Sequence, residues 1–467
     1  MLKLPLKRIM MTIYAICILV ILYQYSQGDE GGPAAERKMT LTFRHFWIQE
    51  HDQPIETIIE DVVERFEADY PHVNIDFEGL DQTIHREQKL KSEMVTGNPP
   101  DLFALFGGTE IEPYVHAGRL LDLTEFVQEN GLQEKFKDLQ LWTFDGHIYG
   151  LPLEGNAEPL FYNKRIFDQL GIAPPETISQ LTEAIAVLKE NGYIPFALGN
   201  EDRWQAGVYA HYVLQRFAGD EPMNDIISGQ GTFITPPYEL AMQQLEQWAR
   251  MGAFPDETNT MDGNAAIRLF TNGEAAMYLN GNWDITLFQN EMAPRSFAYD
   301  VGVIPFPSAE DAKEGAAGKL AGGYTFGIGL SADLQGEEKE AALELLSRIY
   351  TADVQKRFVY EGLRLPSMEM EIDANQTGPV FPQVVQLIES SSGTFVPYDN
   401  MLQPELKEVF LDSISQLLGN RWSALAVLSE LQKGYEEYWR RRGDFSYNVQ
   451  VTGGQFHEQN IPRAVGR

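Results

Sequence analysis

Trp283 stands in the run Gly281-Asn282-Trp283-Asp284, a flat apolar ring with an amide on one side and a carboxylate on the other. That combination suits a sugar, whose C–H face needs a ring to stack on and whose hydroxyl rim needs polar partners. Tryptophan is more often core than ligand surface, so a core role for Trp283 stands as the alternative. Trp204, in Gly199-Asn200-Glu201-Asp202-Arg203-Trp204-Gln205, has the same polar setting. Trp47 ends a predicted strand, Tyr324 follows a glycine pair that includes Gly323, and Tyr398 precedes Asp399; each has a core or surface-lining alternative. Phe106 closes a short apolar run, and Gly107-Gly108 follows it, where a missing Cβ lets a ligand approach the backbone. Asn156 lies in a polar turn, Glu154-Gly155-Asn156, ahead of a strand-like 160–162.

Other chemistries lack their spacing. No G-x-S-x-G is present, and Ser331 does not follow a strand-to-helix elbow. Gly327-x-Gly329 lacks the third glycine of a phosphate-cradling loop and sits inside a strand pattern. The eight histidines include no H-E-x-x-H, so neither a metal nor a cofactor is expected. A glycoside hydrolase needs only two carboxylates about 5 to 9 Å apart, and Glu154 and Asp284 are nominees that sequence cannot place in one cleft.

The elements that would position these residues alternate. Residues 39–47 alternate as a strand, 54–70 carry apolar residues at helical spacing, 73–77 alternate again, and 83–95 return to a helical register. Gly97-Asn98-Pro99-Pro100 ends that helix, and 101–106 reads as a buried strand. Strand, helix, strand, helix, strand implies βαβ units and a largely parallel sheet whose strand C-terminal edge gathers ligand-binding loops. The reading is mostly helical from 166 to 292, and again from 337 to about 442.

Composition bounds the rest. Thirty-six basic against 68 acidic side chains give a formal charge of −32, which repels phosphate backbones and excludes a nucleic-acid partner. Lys3, Lys7 and Arg8 precede an apolar run at 9–23, the charge order of an export signal. Its length fits either a cleaved signal or a retained anchor, and Ser26 and Gly28 supply a small-x-small cleavage site. The only cysteine, Cys17, lies inside that run, so the exported part has no disulfide and no thiolate metal site.

Several runs carry a resemblance: PPDLFALFGG with YVHAGRLLDLTEF, DGHIYGLPLEGNAEPLFYNKRIFDQLGI, FTNGEAAMYLNGNWDI, VGVIPFPS and GGYTFGIG, in that order. Together they resemble the extracellular solute-binding proteins of bacterial ABC importers, in particular the carbohydrate-binding branch that includes maltose-binding protein. The resemblance implies an α/β, two-lobed periplasmic-binding-protein fold of class II type, each lobe a βα sheet with flanking helices and a ligand cleft between. On that basis residues 1–28 are a signal or membrane anchor and 29–38 a tether. Lobe 1 is 39–153 plus 300–345, lobe 2 is 154–299 plus 346–445, and 446–467 is an irregular tail. The chain would cross between lobes at 154–157 and near 299–305, GGYTFGIG would be a lobe 1 strand, and the helix at 337–350 would lead back to lobe 2.

The resemblance also implies a function. A monomer captures a carbohydrate, an oligosaccharide, and delivers it to ABC permease subunits, without being an enzyme. It works outside the cytoplasm, anchored at the outer face of the membrane or secreted. Alternatives are the same fold as a ligand sensor for a membrane receptor, or a glycoside hydrolase. Trp283 matches a sugar-stacking tryptophan of the family, and Trp204 matches a loop with an aromatic contact. Trp47, Phe106, Gly108, Asn156, Asp284, Gly323, Tyr324 and Tyr398 complete the expected ligand set. Many relatives carry an acylated cysteine just after the apolar run, a pattern from which Cys17 departs.

Overall fold

Along Met39–His45, Leu41, Phe43 and His45 are buried on one face while the residues between them are more exposed, the period-two pattern of a half-buried strand. The strand pairs in parallel with Val73–Gly79 over its whole length and with Leu102–Phe106 at Phe43 and Arg44. Between the first two strands, the helix Gln53–Asp69 starts with Pro54 in its first turn and buries Ile55, Ile58, Ile59, Val62, Val63 and Phe66 along one stripe. Burying each such side chain contributes roughly 1.5–3 kcal/mol, which is what clamps this helix onto the sheet. The computed structural model describes residues 38–290, 293–310 and 316–442, and the backbone of strands Phe445–Thr452 and Gln455–Pro462. The expected signal or anchor at 1–28, Cys17 and all of the expected tether except Lys38 lie outside the described residues.

Lobe 1 is a five-stranded sheet in the order 73–79, 39–45, 102–106, 326–330, 151–152. Its first three strands run parallel, and Phe326–Leu330 is antiparallel to Leu102–Phe106. Lobe 2 has a four-stranded sheet in the order 301–304, 160–163, 275–279, 194–197. Its helix Trp204–Ala218 is buried on nearly every side, His211, Gln215 and Arg216 included, so it runs through the middle of that lobe's core.

A third sheet joins the lobes, ordered 365–366, 154–157, 320–323, 394–395. The first crossing, Glu154–Ala157, pairs antiparallel with both Leu320–Gly323 and Leu365–Pro366. Gly322 takes φ +153°, and a Cβ there would stand 2.2 Å from the Asn156 carbonyl oxygen, so only glycine lets these strands approach so closely.

The structure corrects four expectations. Val301–Ile304, expected as the second crossing, instead pairs residue for residue with Leu160–Asn163 inside the lobe 2 sheet, and the crossing strand is Leu320–Gly323. GGYTFGIG is accordingly divided, its first glycines in the joining sheet and Phe326–Leu330 in lobe 1. The boundary at 345 falls inside a lobe 1 helix: Leu345, Leu346 and Ile349 of Gly336–Ile349, and Val354 and Phe358 of the next helix, share a core with Ile55 and Ile59. The tail expected to be irregular carries an antiparallel hairpin, Phe445–Thr452 with Gln455–Pro462.

Candidate functional site

A cavity of about 520 Å³ lies between the lobes, with its floor at the joining sheet. The lobe 1 wall is aromatic. Phe46 stacks on Phe106 at 5.6 Å between ring centroids, and Phe326 completes the group 5.8 Å from Phe106. The Arg86 guanidinium sits 3.8 Å from the Phe106 ring centroid, held there by its Nε donating to Glu110 Oε2 at 2.6 Å.

The facing wall, on lobe 2, carries Trp204 and Trp283, half-buried, with centroids 6.0 Å apart and planes inclined by 59°. Trp204 begins the central helix. Trp283 folds back over Gly281, where an added Cβ would lie 2.1 Å from the indole, so the glycine makes room for the ring. On either side of Trp283 the turn is fixed. Asn282, fully buried, accepts the Ala157 amide at 2.8 Å, and Asp284 accepts from the Tyr278 hydroxyl at 2.6 Å and from Asn280 Nδ2 at 2.9 Å.

Charged groups from all three parts meet at the floor. His51 stands 3.3 Å from Asp52 and 3.4 Å from Asp284, and so links the two lobes. Arg364, just before the joining-sheet strand Leu365–Pro366, donates to Asp52 at 2.9 Å and lies 3.5 Å from Glu154. Burial opposes charge on His51, but the Asp52 and Asp284 carboxylates outweigh it and raise its pKa. Burial likewise opposes ionisation of Asp52, yet His51 and Arg364 bring its pKa below the ordinary value. For Glu154 burial wins over Arg364, and its pKa is pushed up to about 7. Several acceptors at the cleft have no hydrogen-bond donor, among them both Glu154 oxygens and the side-chain carbonyls of Asn156 and Asn280. A buried acceptor without a donor is destabilising by about 1–3 kcal/mol, so a ligand bringing hydroxyl donors relieves a penalty already present.

Five of the ten expected ligand residues line this cavity: Phe106, Asn156, Trp204, Trp283 and Asp284. Five do not. Trp47 is fully buried in the lobe 1 core, stacked on His45 at 4.9 Å. Tyr398 is 1% exposed in the lobe 2 core against Phe395 and His211, while the following Asp399 and Asn400 reach the cleft. Tyr324 packs on Gly155 and accepts the Trp142 indole N–H through its carbonyl, leaving Thr325 and Phe326 to line the wall. Gly323 belongs to the joining sheet. Gly108, at φ +70°, faces the Asn400 carbonyl across the lobe contact. The floor residues His51, Asp52 and Arg364 carried no local signal, because they are brought together from positions about three hundred residues apart.

Residues 51–356 match the family model for bacterial extracellular solute-binding proteins. An ABC transporter extracellular-binding protein of Pyrococcus horikoshii is 27% identical over 290 residues, 61% of this chain and 64% of its own length. The chain thus spans just under two thirds of that relative. The multiple sugar-binding protein of Streptococcus mutans is 22% identical over 85% of this chain and 86% of its own. Among solved structures, a chitin oligosaccharide binding protein superposes with a TM-score of 0.82 at 28% identity, covering 86% of this chain and 98% of that one.

Proposed function

The chain belongs to the family of bacterial extracellular solute-binding proteins, and from that premise we propose that it captures an oligosaccharide between its lobes and hands it to ABC-type permease subunits in the membrane. The observation that carries the reading is the pair of facing aromatic walls, Trp204 and Trp283 opposite Phe106 and Phe326, in one cavity with unpaired acceptors at its floor. Flat rings on both sides suit the two C–H faces of a pyranose, and acceptors between them suit its hydroxyls. The names of the Streptococcus mutans relative and of the chitin oligosaccharide binding structure support a saccharide as the solute. Differential affinity for the closed form turns capture into a signal a permease can read, and the protein does this outside the cytoplasm, as a monomer, without chemistry on the sugar.

Calorimetry and thermal shift across oligosaccharides of differing linkage test this reading. A ligand at 100 times its dissociation constant stabilises by about 2.7 kcal/mol, so a binding sugar raises the melting temperature. The recovered sugar should be unchanged after prolonged incubation. Absence of any saccharide binding overturns the reading, and turnover would move Glu154 and Asp284 from binding to hydrolysis.

A further inference from the structure

Four carboxylates gather where the cavity opens to solvent: Asp81 from lobe 1, and Glu201, Asp202 and Asp262 from lobe 2. They are close enough to act on one another. After burial, the charges of Asp81, Glu201 and Asp262 push the Asp202 carboxyl above its ordinary value. Local structure uses only part of this capacity: Asp81 Oδ1 accepts the Ile84 amide at 3.1 Å and Asp262 Oδ1 the Ala265 amide at 2.6 Å. The cations that line the cavity are engaged elsewhere, Arg86 with Glu110, Arg364 with Asp52, and His51 between Asp52 and Asp284. Nearby Arg203 pairs with Glu408 at 2.8 Å.

A second feature is independent of these charges. Gln205 is 7% exposed and lines the cavity, and its side-chain carbonyl has no hydrogen-bond partner. That carbonyl is one more acceptor beside the carboxylates. This end of the cavity therefore offers acceptors and negative charge, and each cation among the described lining residues is already paired with another carboxylate. A sugar hydroxyl brings a single donor and no charge. A protonated amine brings three donors and the missing positive charge.

We infer that this end of the cleft is a subsite for the ammonium group of an amino sugar, so that the preferred ligand is a saccharide with at least one unacetylated amine. This rests on the oligosaccharide reading above and narrows it.

The test compares sugars that differ only in an amine for a hydroxyl: glucosamine against glucose, galactosamine against galactose, and glucosamine oligomers of two to five units against β-1,4-glucose oligomers of the same length. Calorimetry at about pH 6 keeps the amine protonated. The amine member of at least one pair should bind about tenfold tighter or better, and raised salt should shrink that ratio because exposed charges are screened. Asp202→Asn, checked for an unchanged melting transition, should reduce the ratio, and Asp81→Asn, on the opposite lobe, should do the same. Equal or tighter binding of the neutral member in every pair that binds overturns the inference. So does silence across all pairs when maltotriose or another neutral oligosaccharide binds, and the oligosaccharide reading then survives. No saccharide binding at all removes both.

Discussion

Asn282 Oδ1 accepts the backbone amide of Ala157 at 2.8 Å, and this one bond pins the turn that carries Trp283 to the strand on which the chain first crosses between lobes. The position of the indole is thereby tied to the joining sheet, in which that strand pairs with Leu320–Gly323 and Leu365–Pro366.

Truncating Trp283 to Ala separates ligand contact from packing. The ring is half-buried beside Trp204, so its loss removes stacking surface from the cavity while the core beneath keeps its own residues. Affinity for the identified sugar should fall by about 2 kcal/mol or more, about thirtyfold, with a small change in melting temperature. Wild-type affinity together with a large loss of stability would make Trp283 a core residue. Calorimetry and thermal unfolding of one preparation measure both.

Asn282→Ala should behave differently from Trp283→Ala. It leaves the buried Ala157 amide without an acceptor, which destabilises by about 1–3 kcal/mol, and it frees the turn that orients the indole. Stability and sugar affinity should therefore fall together. Chemical denaturation and calorimetry on this variant would refute the coupling if stability fell and affinity did not.

The Gly-Asn-Trp-Asp turn was legible because its signals are local, a glycine giving space and polar neighbours giving anchors, and all four residues act within one turn. Trp47 was misplaced for a related reason. The first strand was read as running to residue 47 and so as ending at the ligand edge, but it stops at His45 and the chain turns, which folds the indole beneath His45 and Phe77. Tyr398 and Tyr324 were each off by one or two positions, since a short helix at Tyr398–Met401 and a break before Phe326 decide which neighbour faces the cleft. The second crossing was misread because Val301–Ile304 has the apolar pattern of any buried strand, and only its pairing with Leu160–Asn163 assigns it to lobe 2. His51, Asp52 and Arg364 depend on tertiary pairing, to which sequence spacing is blind.

Lys407 reaches across the lobes. It is 3% exposed on the lobe 2 helix Pro404–Leu418, and its Nζ lies 2.6 Å from Glu87 and 3.4 Å from Glu110, both on lobe 1. In the same region the Thr109 hydroxyl donates to the carbonyls of Asn400 and Leu402. These bonds exist only while the lobes touch, so they favour the closed arrangement independently of ligand. Lys407→Ala should shift the ligand-free population toward open forms and weaken sugar binding by about tenfold, the fraction of competent protein having fallen. Small-angle scattering of the ligand-free variant should report a larger radius of gyration than wild type, contracting when sugar is added. Identical scattering from both proteins would show that Lys407 does not hold the lobes together.

Glu154 gives a pH dependence whose sign follows from its surroundings. Only 1% exposed, it has no hydrogen bond to either oxygen; Arg364 Nη1 lies 3.5 Å away, while Arg364 Nη2 is the nitrogen that serves Asp52. Burial raises its pKa from 4.5 to about 7, with Arg364 opposing the shift. A folded-state pKa above the unfolded one means that folding favours the protonated acid. That contribution is complete below about pH 4.5 and is lost as pH rises through 7, amounting to on the order of 3 kcal/mol. Glu154→Gln keeps the shape and removes the titration. Relative to wild type, the variant should gain stability progressively between about pH 4.5 and just above 7, with a flat difference outside that window. If Glu154 were instead a stable ion-pair partner of Arg364, its folded pKa would lie below 4.5, and the substitution would destabilise by a constant amount across that window, because Arg364 would lose one of its two carboxylates. Urea denaturation of both proteins across that pH range, without sugar, decides between a rising difference and a flat, destabilising one.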